Sequence, residues 1–132
     1  MVIVLVEDDL EDQEFFSDAI RKVCPECSLL TVEHGIEALH LLDKIPIPDL
    51  IFTDVNMPIM NGIQLIISLR SLDRFSVVPI VVLSTSASDD IIGTCYDRGA
   101  TRYLTKPDSK PELEAMVGRI ITDYNESSNP LY

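Results

Sequence analysis

The sequence predicts an α/β fold, in which one parallel five-stranded sheet is covered by helices on both faces. Short apolar runs alternate along the chain with longer segments of helical period, as expected of consecutive β-α-β units. Three of the runs consist almost entirely of Val, Ile and Leu, which is typical of strands that are buried on both faces. Hydrophobic residues make up 46% of the 132 residues, enough for one compact core.

Five segments have the length and composition of strands. They are Val2 to Val6, Leu29 to Val32, Leu50 to Thr53, Ile80 to Leu83 and Arg102 to Thr105. We expect the doubly wound order 2-1-3-4-5, in which the first and third strands are neighbours.

Three helices are predicted between the first four strands, each from apolar residues that recur on one helical face. The first helix ends at Pro25, the second begins after Gly35 and the third follows Asn61-Gly62. Their inward-facing residues are expected to be Phe15, Phe16, Ala19, Ile20 and Val23, then Ile36, Leu39 and Leu42, then Leu65, Ile66 and Leu69.

Two further helices carry recognisable end signals. Asp89 and Asp90 suit the first turn of the fourth helix, and Gly99 suits its C-terminal cap. Ser109 and Glu112 form a capping-box pair before the fifth helix. The apolar face of this last helix comprises Leu113, Met116, Val117, Ile120, Ile121 and Tyr124.

The length indicates one domain, which we place at residues 1–124, followed by a frayed tail over residues 125–132. The formal net charge of -12 opposes binding to nucleic acid or to anionic lipid. No apolar run approaches the roughly 20 residues of a spanning helix. The apolar start lacks the charged flank of a signal peptide, and three cysteines suit a reducing compartment. We therefore expect a cytoplasmic protein.

Polar residues follow four of the predicted strands at their carboxyl ends. Glu7 and Asp8 follow the first strand, Asp54 the third, Ser84 the fourth and Lys106 the fifth. Loops at these ends emerge along one edge of a parallel sheet, so the three carboxylates should crowd one pocket. Mutual repulsion among them favours a bound cation, and a small set of oxygen ligands favours Mg²⁺.

Such a pocket suits chemistry on phosphorus. A carboxylate next to the metal ion is placed to attack a phosphoryl group, while the ion and an ammonium neutralise the developing charge. Asp54 would be the nucleophile and Lys106 the ammonium, and Ser84 offers a hydroxyl donor to a phosphoryl oxygen.

These residues resemble the receiver domain of two-component response regulators, over nearly the whole chain. The resemblance implies a flavodoxin-like fold. It rests on the pair Glu7-Asp8, the run Asp54-Val55-Asn56-Met57-Pro58, the pair Asn61-Gly62, the hydroxyl of Ser84 and the pair Lys106-Pro107.

The resemblance implies roles for particular side chains. Asp54 would be phosphorylated by the phosphohistidine of a sensor or hybrid histidine kinase. Asp8, Asp54 and the main-chain carbonyl of Asn56 would bind Mg²⁺, with Glu7 acting mainly through metal-bound water. Lys106 would pair with the phosphoryl group.

The resemblance also implies a conformational switch. Ser84 would move toward the phosphoryl group, and Tyr103 would then turn inward. The changed face would comprise the fourth helix, fifth strand and fifth helix, where a downstream effector protein or a second copy of the chain could bind. Pro107 is the candidate for the family's cis-proline.

Two positions depart from the commonest pattern of the family. Thr85 stands where a small Ala is more usual, and Asp108 stands where an apolar or aromatic residue is frequent. Thr85 could narrow access to the acyl phosphate. The string from Leu83 to Ser86 is similar to stand-alone receivers that serve phytochrome-like and other hybrid kinases.

Other interpretations remain open. Glu7-Asp8-Asp9 alone would also suit a solvated loop, and Tyr103 could serve packing only. An aspartyl phosphatase would usually carry a second Asp two residues after the nucleophile, where this chain has Asn56. A phosphate-independent interaction module is the third possibility. Cys24 and Cys27 form a CxxC that we interpret as chance spacing, because no second pair completes a zinc site.

Overall fold

A computed structural model of the chain describes residues 1–126, and these contain the predicted parallel sheet. The five strands lie in the order β2-β1-β3-β4-β5. Every pairing is parallel, so the fold class and the strand order predicted from the sequence are confirmed. The strands are β1 (Val2–Val6), β2 (Ser28–Val32), β3 (Leu50–Thr53), β4 (Ile80–Ser84) and β5 (Arg102–Thr105).

Five α-helices connect or follow the strands in the described part of the chain, and each lies where the sequence predicts one. They are α1 (Leu10–Val23), α2 (Gly35–Lys44), α3 (Gly62–Arg70), α4 (Asp89–Arg98) and α5 (Lys110–Glu126). A short 3₁₀ helix, Asp73–Phe75, lies between α3 and β4.

The hydrophobic core has two layers, one on each face of the sheet. Along β1, Ile3 and Leu5 pack with α1 and α5, while Val4 and Val6 pack with α2 and α3 on the other face. This alternation follows from the pleat, which directs successive side chains to opposite faces. Both layers are apolar, and helices pack against both faces of the sheet. This packing fixes the position of the carboxyl edge of the sheet.

Hydrogen bonds and backbone conformation mark the ends of three helices. The side chain of Asn61 accepts a hydrogen bond from the N–H of Gln64, and the N–H of Asn61 donates to the side-chain oxygen of Gln64. Gly99 ends α4 with a φ of 117°, a conformation that favours glycine. Ser109 Oγ accepts a hydrogen bond of 3.4 Å from the N–H of Glu112 at the start of α5.

Two details of the helices differ from the prediction. In α2 the fully buried residues include Ala38 and Leu42, whereas Ile36 and Leu39 are only half-buried. Helix α5 continues through Asn125 to Glu126, so the boundary placed at residue 124 does not coincide with the helix end. The rest of the predicted tail, residues 127–132, lies outside the described residues.

The CxxC is bonded, which contradicts its interpretation as chance spacing. Cys24, the C-terminal cap of α1, forms a disulfide with Cys27 just before β2. Their Cα atoms lie 5.4 Å apart, within the range that a disulfide can bridge. The chain turns sharply between α1 and β2 and so brings the two thiols together. Cys95 is a free, buried cysteine in α4.

No helix within residues 1–126 combines the length and apolar composition that crossing a bilayer requires.

Candidate functional site

The carboxyl ends of β1 and β3 bring the predicted acidic residues together. Val6 pairs with Thr53 in the sheet, so Glu7 and Asp54 follow paired positions on neighbouring strands. The N–H of Asp54 donates to the carbonyl of Val6 at 3.1 Å, which continues the sheet to the site itself. Backbone pairing therefore places the side chains of Glu7 and Asp54 next to each other at this edge.

Three carboxylates form a compact oxygen cluster at this edge. Glu7, Asp8 and Asp54 each direct one carboxylate oxygen into a group whose members lie within 4.8 Å of one another. Glu7 and Asp54 are buried, and Asp8 is exposed. Oxygen-only donors with one solvent-facing member fit a hard divalent ion that keeps part of its water shell, as Mg²⁺ does. The predicted residues are thus gathered into a group that could hold this ion.

Lys106 enters the same pocket from the loop after β5 and contacts three carboxylates. Its Nζ lies 2.6 Å from Glu7, 2.9 Å from Asp12 and 3.1 Å from Asp54. The Lys106 side chain is only 14% exposed, so these contacts are shielded from much of the solvent. The structure therefore brings together the acidic pair, Asp54 and Lys106, as the sequence predicts.

The electrostatics of Glu7 and Lys106 are linked. Burial raises the pKa of Glu7 to about 7, although the hydrogen bond and positive charge of Lys106 oppose this change. Burial alone would lower the pKa of Lys106, but its bonds to Glu7 and Asp12 and the charge of Asp54 raise that pKa above its ordinary value. Lys106 consequently stays protonated at physiological pH, and Glu7 titrates near neutrality.

Asp54 is held in a defined orientation by groups on both sides of its carboxylate. Oδ1 accepts hydrogen bonds from the N–H of Val55 at 2.6 Å and of Asn56 at 3.4 Å, and Oδ2 faces Lys106. The side chain is 11% exposed, so it is largely shielded yet still reachable. This orientation leaves a carboxylate with restricted rotation at the floor of the pocket.

The glycine of the Asn61-Gly62 pair allows α3 to approach Asp54 closely. A Cβ at Gly62 would collide with the main-chain oxygen of Asp54. The Gly62 N–H also donates to the carbonyl of Val55 at 2.9 Å, which closes the loop that leads into α3. The motif thus shapes the backbone of the phosphoacceptor candidate rather than contributing a reactive group.

Ser84 and Tyr103 are connected through the loop that follows β4. Ser84 is fully buried at the end of that strand, and its Oγ accepts a hydrogen bond of 3.3 Å from the N–H of Ser86. The Tyr103 hydroxyl donates to the carbonyl of the same Ser86 at 2.8 Å. A displacement of Ser84 would therefore be transmitted to Tyr103 through Ser86, to which both side chains are hydrogen-bonded.

The peptide bond before Pro107 is trans, since the structure contains no cis peptide bonds in its described part. This contradicts the prediction of a cis-proline. The trans isomer of an X-Pro bond is lower in free energy by about 0.5 to 1 kcal/mol, so no special contact is needed to retain it.

The two departures from the usual family pattern both face solvent. Thr85 and Asp108 are exposed, and Asp108 also lines a cavity of about 270 Å³ beside the site. The cavity opens between α1 and the loop after β5, where Phe15, Asp12 and Lys106 border it. Access to Lys106 is therefore available from this side.

Asp12 is a site residue that sequence analysis missed. It lies in the first turn of α1, and its N–H is bonded to the capping carboxylate of Asp9. In sequence it reads as an ordinary acidic residue near a helix N-terminus, where the helix dipole favours negative charge. Its position in the first turn after β1 indicates that it lies near the carboxyl edge of the sheet. Its contact with Lys106, however, depends on how α1 is rotated about its axis.

Comparison with known proteins agrees with this geometry. CheY1, a chemotaxis protein of Helicobacter pylori, is 30% identical over 122 residues, which cover 89% of this chain and 98% of the relative. The structure of the phosphorylated cyanobacterial phytochrome response regulator RcpA has a TM-score of 0.87 and 30% identity, and the match covers 95% of this chain and 94% of that one.

A third similar protein has a metal ion in its site. The receiver domain of the sensor histidine kinase PA1611 from Pseudomonas aeruginosa, with magnesium coordinated in the active site cleft, has a TM-score of 0.77 and 26% identity, and the match covers 92% of this chain and 97% of that one. The family model of the response regulator receiver domain matches residues 3–118. This chain therefore belongs to the response regulator receiver domain family.

Proposed function

We propose that the chain is a single-domain response regulator in which Asp54 accepts a phosphoryl group from the phosphohistidine of a sensor or hybrid histidine kinase. One observation carries the proposal. Asp54 lies 3.1 Å from the ammonium of Lys106 and in the same oxygen cluster as Glu7 and Asp8. A nucleophile, a cation and a candidate metal site thus share one pocket.

In the proposed transfer, an oxygen of Asp54 forms a bond to phosphorus while the bond from phosphorus to the histidine nitrogen breaks. The electron pair of the broken bond stays with the imidazole. Negative charge grows on the equatorial phosphoryl oxygens, and Lys106 donates hydrogen bonds to them. Because Lys106 stays protonated, it can supply this charge without a prior proton transfer.

The donor set fits Mg²⁺, with Asp8, Asp54 and the carbonyl of Asn56 as its proposed ligands and Glu7 acting mainly through metal-bound water. The bound ion would neutralise charge on the carboxylates and on the phosphoryl oxygens. Support comes from the all-oxygen cluster in this chain and from the magnesium ion in the similar PA1611 receiver domain. Glu7, with its raised pKa, would need to lose a proton to contribute a full negative charge.

The phosphorylated state would be read at the face formed by α4, β5 and α5. Ser84 would donate its hydroxyl to a phosphoryl oxygen and give up its bond with Ser86. As Ser86 shifts, Tyr103 would lose the hydrogen bond that its hydroxyl donates to the carbonyl of Ser86, and its ring would turn inward. A downstream effector protein, or a second copy of the chain, would bind the altered face.

The switch would be slow to reset by itself, since position 56 holds Asn56, whose amide cannot act as a general base toward the water that hydrolyses the acyl phosphate. We therefore propose a signalling protein rather than a metabolic enzyme, working in the cytoplasm. Similarity to RcpA supports a phytochrome-associated role, with a phytochrome-like kinase as the phosphoryl donor.

The test is phosphorylation by acetyl phosphate with Mg²⁺, followed by intact mass spectrometry. The parent should gain one phosphoryl group, and the gain should depend on Mg²⁺ and be lost in base. Asp54→Asn should gain nothing. Asp43→Asn, an equal charge change at an exposed position of α2, should behave as the parent does. No gain in the parent would refute the proposal, and rapid turnover of many phosphoesters would indicate an enzyme instead.

A further inference from the structure

Asp12 is the third carboxylate on Lys106. We propose that it competes with the incoming phosphoryl group for this ammonium and so slows the phosphorylation of Asp54. The inference rests on the proposed phosphoacceptor function and adds a positioning residue to it. Asp12 would act through Lys106, without touching the phosphorus.

The argument begins with the number of hydrogen-bond donors on Lys106. An ammonium group has three N–H bonds and no other donor. Within residues 1–126 its partners are also three, namely Glu7 at 2.6 Å, Asp12 at 2.9 Å and Asp54 at 3.1 Å. To donate to a phosphoryl oxygen, Lys106 must therefore weaken or release one of these carboxylates.

The exposures of the three carboxylates indicate which contact is released. The side chain of Glu7 is 4% exposed and that of Asp54 is 11% exposed, so neither would be well hydrated if it lost the ammonium. The side chain of Asp12 is 45% exposed. Water can replace Lys106 at Asp12 with little penalty, so this is the contact that gives way.

Helix α1 keeps Asp12 close to the site after it has released Lys106. Asp9 caps the helix and accepts a hydrogen bond of 3.0 Å from the N–H of Asp12. The side chain of Gln13 donates to the carbonyl of Glu7, which ties the same turn of the helix to the end of β1. The displaced carboxylate would thus remain near the dianionic phosphoryl group and repel it.

The ion pair of Asp12 with Lys106 and the repulsion between Asp12 and the phosphoryl group both disfavour phosphorylation of Asp54. The ion pair with Lys106 stabilises the unphosphorylated protein, and repulsion destabilises the state in which Asp54 carries the phosphoryl group. Asp12 lies outside the Glu7, Asp8 and Asp54 cluster, so its replacement leaves the candidate metal ligands in place.

The test compares rates of phosphorylation by acetyl phosphate at saturating Mg²⁺. In this reaction an oxygen of Asp54 bonds to phosphorus, the bond from phosphorus to the acyl oxygen breaks, and acetate leaves. Asp12→Asn should react about two- to fivefold faster than the parent, as expected for loss of a partly exposed ion pair. Asp12→Glu, which keeps the charge, should stay closer to the parent.

Glu11→Gln is the matched control. Glu11 lies in the same turn of α1, is exposed and borders the same cavity, so the control makes the same change in net charge. Its rate should remain within about 1.5-fold of the parent, since its carboxylate is screened by solvent. Equal acceleration in both variants would show a general charge effect and would overturn the inference.

Two further measurements separate competition from a structural role. The difference in rate between Asp12→Asn and the parent should shrink as salt is raised, because a partly exposed ion pair is screened. Asp12→Ala, which removes the charge without adding an amide donor, should also react faster. An unchanged or slower rate in both uncharged variants, with melting temperatures near the parent's, would overturn the inference. A parent that gains no phosphoryl group would instead refute the function on which it rests.

Discussion

Glu7 and Lys106 form the shortest ion pair of the site, with 2.6 Å between Oε1 and Nζ. The two residues are separated by 99 positions in sequence, and each follows a strand at the carboxyl edge of the sheet. Their contact joins the end of β1 to the loop after β5 across the pocket that holds Asp54. Since both side chains are largely buried, their charges affect one another strongly.

The raised pKa of Glu7 predicts that stability depends on pH in the metal-free protein. The pKa is about 7 in the folded chain and 4.5 in its ordinary state. The folded protein therefore binds the Glu7 proton more tightly, and this contribution to stability is fully present below pH 4.5 and is lost as pH rises through 7. As pH rises from 5 to 8, we expect ionisation of Glu7 to lower the free energy of unfolding by about 2 to 3 kcal/mol.

Urea unfolding with a chelator present will measure this dependence. The side chain in Glu7→Gln cannot ionise, so the free energy of unfolding of this variant should not show the decrease that Glu7 causes in the parent. The difference in stability between variant and parent should therefore shift in favour of the variant as pH rises. Parallel curves for the two proteins from pH 5 to pH 8 would contradict the assigned pKa.

Mg²⁺ should stabilise the folded protein, because an ion that binds the native cluster shifts the unfolding equilibrium. At a Mg²⁺ concentration of 100 times Kd, the gain should be about 2.7 kcal/mol. Asp8→Asn should lose most of the gain, while Asp43→Asn on α2 should keep it. Melting curves with and without Mg²⁺ will show the difference, and a parent that is indifferent to millimolar Mg²⁺ would argue against the metal site.

The disulfide predicts how the cysteines react with an alkylating reagent. In the unfolded, unreduced protein only Cys95 should be labelled, whereas all three cysteines should be labelled after reduction. Intact mass spectrometry counts the labels directly. Closing so short a loop should contribute about 2 kcal/mol to stability, which the reduced protein should lack. Labelling of three cysteines without reductant would show that Cys24 and Cys27 are not bonded.

The sequence was sufficient to predict which strand ends meet, but not every contact made there. Glu7, Asp54 and Lys106 could be placed together because parallel pairing puts the carboxyl ends of the strands at one edge. The contact of Asp12 depends on the rotation of α1, which is set by the packing of its one buried face against the sheet and α5. The bond between Cys24 and Cys27 likewise depends on the angle at which the chain leaves α1.

Gly62 offers a direct test of how backbone packing supports the site. A Cβ at this position would meet the main-chain oxygen of Asp54, and backbone atoms cannot move aside as a flexible side chain can. Gly62→Ala should therefore displace either α3 or Asp54. We expect a loss of about 1 to 3 kcal/mol in the free energy of unfolding and a phosphorylation rate at least tenfold lower.

Gly93→Ala is the matched control for that substitution. Gly93 lies within α4, and a Cβ there would have no neighbour within 4 Å. Alanine is the better helix former, so this variant should gain about 0.5 to 1 kcal/mol and phosphorylate at the parent's rate. Urea unfolding and the acetyl phosphate assay measure both effects. If Gly62→Ala proved as stable and as reactive as Gly93→Ala, the close approach of α3 to Asp54 would not be needed to orient the phosphoacceptor.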